Sequence, residues 1–151
     1  FSFGENLTEI KEHTFESCTK LSGELRLPKN LTVIGAYAFS SCSALNGNLN
    51  IPENVTSIGE GAFSGCSGLT GNLQLPEKIT SIGTYAFNGC SGFNGSLTLP
   101  SGITEIADSV FGNCSEFMGE LTIPAGVTRI GRYAFGSCSG FSGTLKLPEN
   151  L

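Results

Sequence analysis

Within residues 73–96, LQLPEKITSIGTYAFNGCSGFNGS, apolar positions fall into short runs separated by turn-forming residues. Leu73-Gln74-Leu75 alternates apolar, polar, apolar, which is strand periodicity, and Pro76, with no N–H for a ladder, ends it. Ile79-Thr80-Ser81-Ile82 is β-branched for the most part and suits a second short extended piece. Gly83 allows a bend, residues 85–90 predict one helical or 3-10 turn, and Gly95 bends the chain into the next strand.

The same order of residue types returns every 24 residues. It carries Cys18, Cys42, Cys66, Cys90, Cys114 and Cys138, and likewise Phe15, Phe39, Phe63, Phe87, Phe111 and Phe135. Threonines from Thr8 to Thr128, isoleucines from Ile10 to Ile130 and prolines from Pro28 to Pro148 keep the same step. The chain therefore divides into units 1–24, 25–48, 49–72, 73–96, 97–120 and 121–144, with a partial unit 145–151. No single unit can bury its own apolar side chains. Stacked units turn each apolar position into a ladder along one core, so the expected architecture is a single solenoid domain, 1–151, of parallel short β-strands.

The motif Leu-x-Leu-Pro-x-x-Ile-Thr-x-Ile-Gly-x-x-Ala-Phe-x-x-Cys, as it stands at Leu73 to Cys90, resembles the BspA-like leucine-rich repeats, also called the treponemal-pallidum-type class. The resemblance covers essentially the whole chain. The units are one residue longer than the family's commonest form, through the Leu-x-Gly-x-Leu bend, which leaves the strand register open. What the resemblance implies is a right-handed leucine-rich-repeat solenoid, found in surface proteins of anaerobic bacteria and some protozoa. It also implies a cell-surface or extracellular location and adhesion roles, by analogy.

Two units depart from the pattern. The first has Gly4 in place of Pro, Lys11 in place of Gly and Thr14 in place of Ala, and it is rich in charge. It reads either as a cap or as a cut through a longer array. Phe1 and Phe3 on strand core positions favour the cut, and an apolar open end also allows end-to-end self-stacking. A chain opening at Phe1, without Met or a leader, fits a segment of a longer protein. The fifth unit has Ala107 for Gly and Val110 for Ala, read as packing variation.

Composition narrows the function. Charged residues make up 14% and apolar residues 39%, the reverse of a disordered chain. The net charge of −5 speaks against nucleic acid, whose phosphates reward clustered Lys and Arg. No apolar run approaches the ~20 residues of a membrane span, so membrane insertion of this segment is not expected.

Candidate chemistry is sparse. The one His, His13, and the one Asp, Asp108, are four rungs apart, roughly 19 Å at strand spacing, so no Ser-His-Asp triad closes. Zinc needs clustered Cys and His, whereas every Cys-to-Cys gap here is 24. No catalytic residue, metal or cofactor is assigned. Asn6, Asn30, Asn54, Asn94 and Asn113 match the glycosylation sequon and also read as turn formers beside a structural Thr or Ser. Ladder cysteines point the same way, leaving Cβ atoms too far apart for a bridge, so six reduced, buried thiols are expected.

What varies between units is surface. One row lies between the strand leucines: Ser2, Arg26, Asn50, Gln74, Thr98, Thr122 and Lys146. A second is Glu9, Val33, Ser57, Ser81, Glu105 and Arg129, and a third is His13, Tyr37, Gly61, Tyr85, Ser109 and Tyr133. Such rows form an extended platform, so the candidate partner-binding residues are Tyr37, Tyr85 and Tyr133, with Arg26, Asn50, Gln74 and Thr98. The function expected is a non-enzymatic binding or adhesion scaffold for a protein partner, a host or matrix component, over several repeats. The alternatives are a structural spacer and a carbohydrate-binding array.

Overall fold

The computed structural model describes residues 3–149 and 151; Phe1 and Ser2, which the sequence places at the start of the strand rows, lie outside the described residues. The strand hydrogen bonds run from one unit to the next, which is why strands of two residues suffice. Glu9–Ile10, Val33–Ile34, Ser57–Ile58 and Ser81–Ile82 form one parallel sheet in which Ile10 faces Ile34 and Ile58 faces Ile82. Glu105–Ile106 pairs with Arg129–Ile130 in the same 24-residue step. A second side carries Leu73–Gln74 paired with Leu97–Thr98, again 24 apart, and a bridge from Thr122 to Lys146.

The Leu-x-Gly-x segment behaves differently. Gly23–Glu24, Leu45–Asn48 and Leu69–Thr70 pair in parallel, but Gly23 faces Leu45 and Gly47 faces Leu69, a step of two residues fewer. Gly119 and Phe141 repeat this slip. Side chains alternate with a period of two, so an even slip keeps Leu45 and Leu69 inside. The register left open by the unit length thus divides between segments of one rung.

The helical or 3-10 turn expected at residues 85–90 is instead a run of turns, and no helix occurs among the described residues. The N–H groups of Ala86, Asn88 and Cys90 bond three residues back, to Gly83, Tyr85 and Phe87, while those of Tyr85, Phe87 and Gly89 donate to Asp108, Val110 and Gly112 of the next unit. The cause is backbone handedness. Tyr85 (φ 59°) and Gly89 (φ 72°) are both left-handed, and two such residues four apart forbid a helical turn.

Phe39, Phe63, Phe87 and Phe111 are fully buried and stack nearly parallel, with centroids 5.3–5.6 Å apart. Phe3 meets Phe15 and Phe39 edge-on over the first rungs. A second aromatic stack, Phe93, Phe117 and Phe141, continues a column that Leu21, Leu45 and Leu69 begin. All six cysteines are free thiols. Cys42, Cys66, Cys90, Cys114 and Cys138 each donate to a Phe carbonyl of the preceding unit, at 3.0–3.1 Å. The expectation of six buried thiols is corrected at both ends. Cys18 is exposed and Cys138 only half-buried, because ladder burial needs a rung on each side.

The isoleucine sheet is broken between Ser81–Ile82 and Glu105–Ile106. Gly35, Gly59, Gly83 and Gly131 donate to the isoleucine carbonyl of the rung before. At each of the four, a Cβ would lie 2.2–2.5 Å from an atom of the preceding unit. Ala107 brings a real Cβ to that place, and the break falls there, so this substitution is more than packing variation. Ala107→Gly is expected to close the seam. Hydrogen exchange of the residue-107 amide should slow at least tenfold, with total stability changing by no more than about 1 kcal/mol, since glycine's entropic cost offsets a regained hydrogen bond.

Candidate functional site

Surface charge follows the rungs. Glu105 faces Arg129 across the paired strands and forms an ion pair with it, and Lys29 lies 3.3 Å from Glu5. Asp108 reaches Arg129 at 3.3 Å and accepts the backbone N–H of Arg132, one rung on. These groups are half or more exposed for the most part, so they set stacking register more than stability.

The tyrosine row splits into two kinds of residue. Tyr37 is half-buried: its ring stacks on His13 at 5.2 Å, leans over Gly61, and its hydroxyl donates to Glu60. That hydrogen bond holds the phenol protonated and raises its pKa. Gly61 matters here because a Cβ would sit 2.5 Å from the Tyr37 ring. Tyr85 and Tyr133 are exposed, at 46% and 78%, and flank Ser109. All three tyrosines have φ of 54–59°, a conformation costing an L side chain roughly 1–2 kcal/mol.

The strand row lies elsewhere. Arg26 is exposed and pairs with Glu24 at 3.1 Å. Asn50 and Gln74 line an open groove of 770 Å³ that crosses four units, from Asn48 to Met118. Thr98 sits with Gln74 in an adjoining recess of 290 Å³, beside Glu77. Glu77 accepts both the N–H and the hydroxyl of Ser101, which lowers its pKa.

Among the groove residues that the row reasoning missed are Asn48, Asn72, Asn94 and Met118. Asn72 accepts from the Ser96 N–H and Asn94 from the Gly71 N–H, so both carboxamides are held by the neighbouring rung. The signal was present in the sequence: Asn46, Asn48, Asn72 and Asn94 crowd the Leu-x-Gly-x segment of the middle units. What hid it is that the Gly71 N–H meets the Asn94 side chain, one position short of its repeat equivalent Gly95.

His13 has Glu16 at 2.7 Å and Tyr37 as neighbours. Among the described residues no cluster of three or more His, Cys, Asp or Glu could hold a metal ion, and no helix is long and apolar enough to cross a membrane. Two sequon asparagines tie turns together: Asn30 donates to the Glu5 carbonyl and Asn54 to that of Lys29.

A family model described as the BspA type leucine rich repeat region matches residues 1–118 and 69–151, in six copies. Among solved structures, the chain is similar to a leucine-rich repeat protein from Eubacterium ventriosum, with TM-score 0.75 and 26% identity over 99% of this chain and 38% of that one. It is similar to a leucine rich cell surface protein from Faecalibacterium prausnitzii, with TM-score 0.68 and 27% identity over 96% of this chain and 45% of the other. The leucine rich repeat protein of T. pallidum shares the fold, with TM-score 0.69 and 24% identity over 90% of this chain and 72% of that one. The chain thus spans less than half the length of the first two. A comparison with curated proteins gave no match.

Proposed function

Because the chain belongs to the BspA-type leucine-rich repeat family, we propose that it is a non-enzymatic adhesion scaffold of a cell-surface or secreted protein, taking an extended segment of a protein partner along its strand-side groove. The observation that carries this reading is the groove's run across four units, which no compact ligand needs. Its walls offer the carboxamides of Asn48, Asn50, Asn72, Gln74 and Asn94. A carboxamide both donates and accepts, matching the N–H and C=O that each residue of an extended peptide presents. Met118, 55% exposed at one end, supplies an adaptable apolar contact. The surface location is supported by the similarity to the F. prausnitzii cell surface protein.

The test is a pull-down of the parent protein against immobilised extracellular-matrix proteins, followed by titration of the partner retained. The combined change Asn50→Ala, Asn72→Ala and Gln74→Ala is expected to weaken that binding at least tenfold, about 1.4 kcal/mol. Replacing Tyr37, Tyr85 and Tyr133 by Ser should leave it within a factor of two. Equal affinity of the groove variant and the parent sinks the reading.

A further inference from the structure

A second concavity, sharing no lining residue with the groove, follows the turn side of the last three full units. One wall is Tyr85, Ser109 and Tyr133, and the other is Asn113 and Ser137. The floor is glycine, at Gly112 and Gly136, and the volume is 280 Å³. At the floor position earlier units carry Glu16, Ser40, Ser64 and Asn88. The trough lies where side chains give way to glycine, and Asn88, bonded at 3.3 Å to the Ser109 carbonyl, lies at one end.

Tyr85 keeps 46% of its surface exposed although a further unit stacks beyond it, and Tyr133, in the last full unit, is 78% exposed. A ring that stays solvated beside a concavity is free to make an external contact.

The lining chemistry selects the class of that contact. Every lining residue is Tyr, Asn, Ser or Gly, so a charged ligand meets no counter-charge. A purely apolar ligand would cover the exposed Asn113 and Ser137 without pairing them, at a desolvation cost. A sugar ring has an apolar C–H face for the tyrosine and a hydroxyl rim for the amide and hydroxyl opposite. The two rings stand two rungs apart, about 10 Å, longer than one pyranose and suited to consecutive sugars of a chain. We propose that this trough binds a neutral glycan chain, with pyranose faces against Tyr85 and Tyr133 and sugar hydroxyls on Asn113 and Ser137. The site is independent of the strand-side groove and of the protein partner assigned to it.

The chain has three Tyr and no Trp, so tyrosine emission reports occupancy of the trough directly. The protein is screened on an array of neutral hexose, pentose and N-acetylhexosamine chains, and the bound glycan is titrated by that emission. Saturable binding is expected, weakened at least tenfold by Tyr85→Ala or Tyr133→Ala and unchanged by Asn50→Ala. Tyr133→Gly should abolish binding while melting at or above the parent temperature, which separates loss of ligand from loss of fold. No binding on the array overturns the proposal, as does binding that survives the Tyr85→Ala, Tyr133→Ala double change. A response to neutral aromatic dipeptides but to no glycan overturns it as well, and assigns the trough to an aromatic side chain of a protein.

Discussion

Phe87→Ala is expected to lower the free energy of unfolding by about 3–5 kcal/mol, and Phe15→Ala by visibly less. Phe87 is fully buried, with Phe63 at 5.4 Å on one side and Phe111 at 5.6 Å on the other. Its backbone is committed to both neighbours too: its N–H donates to Val110, and its carbonyl accepts the Cys114 thiol. Removing the ring leaves a cavity that touches two interfaces, and in a solenoid each interface term counts separately. Phe15 is only half-buried, with Phe39 stacked on one face at 5.3 Å and Phe3 edge-on. Urea melts of the two variants decide the matter. Equal losses contradict the nearest-neighbour account of this fold.

The ladders were legible because they rest on composition alone: a Phe, an Ile and a Cys every 24 residues have nowhere to be buried except against their equivalents. Local geometry was not legible to the same degree. Residues 85–90 have a helix-like order of apolar side chains, yet the next unit, a strand's width away, competes for every second N–H and wins. Glycine at positions 61, 65 and 89 was the available clue to left-handed backbone, but Tyr, Ser and Asn occupy the same positions in other units and blur it. The slip at Gly47 and Leu69 was equally hidden, since an even shift leaves the pattern of buried and exposed positions untouched.

The same limits apply to the sites. The sequence grouped Tyr37, Tyr85 and Tyr133 as one row, and they do share one backbone conformation. What separates them is the following rung: Glu60 and Gly61 hold Tyr37 against the protein, Ser109 stands in that place for Tyr85, and Tyr133 belongs to the last full unit. Asn50 and Gln74 were identified from the strand alternation, while Asn72 and Asn94 reach the same groove from another segment of the rung. Rows read along one repeat position cannot show where two positions converge.

The cysteine ladder makes the protein sensitive to alkali. Burial pushes the Cys66 and Cys114 thiols up to about 12, and Cys90, deepest in the stack, is also raised well above the ordinary range. In the unfolded chain the same thiols ionise near 8.5. Above that pH the folded state holds more protons than the unfolded one, so the stability of the fold falls as pH rises. Below it, both states are protonated and these groups give no pH dependence. Each thiol contributes a slope of about 1.4 kcal/mol per pH unit, so the three together give about 4. Against a total stability of ~5–15 kcal/mol, unfolding is expected within a few pH units above 9. A thiol reagent at pH 8 should accordingly modify the exposed Cys18 first and the core thiols only on unfolding. Replacing Cys66, Cys90 and Cys114 by Ala removes the three most deeply buried thiols while leaving Cys42, Cys138, the lysines and the tyrosines in place. That variant is expected to be less stable at pH 7, having lost three thiol-to-carbonyl contacts, yet to lose stability far more slowly between pH 9 and 11. Parallel decline of the parent and the variant across that window would show that the ladder thiols ionise as freely in the fold as outside it.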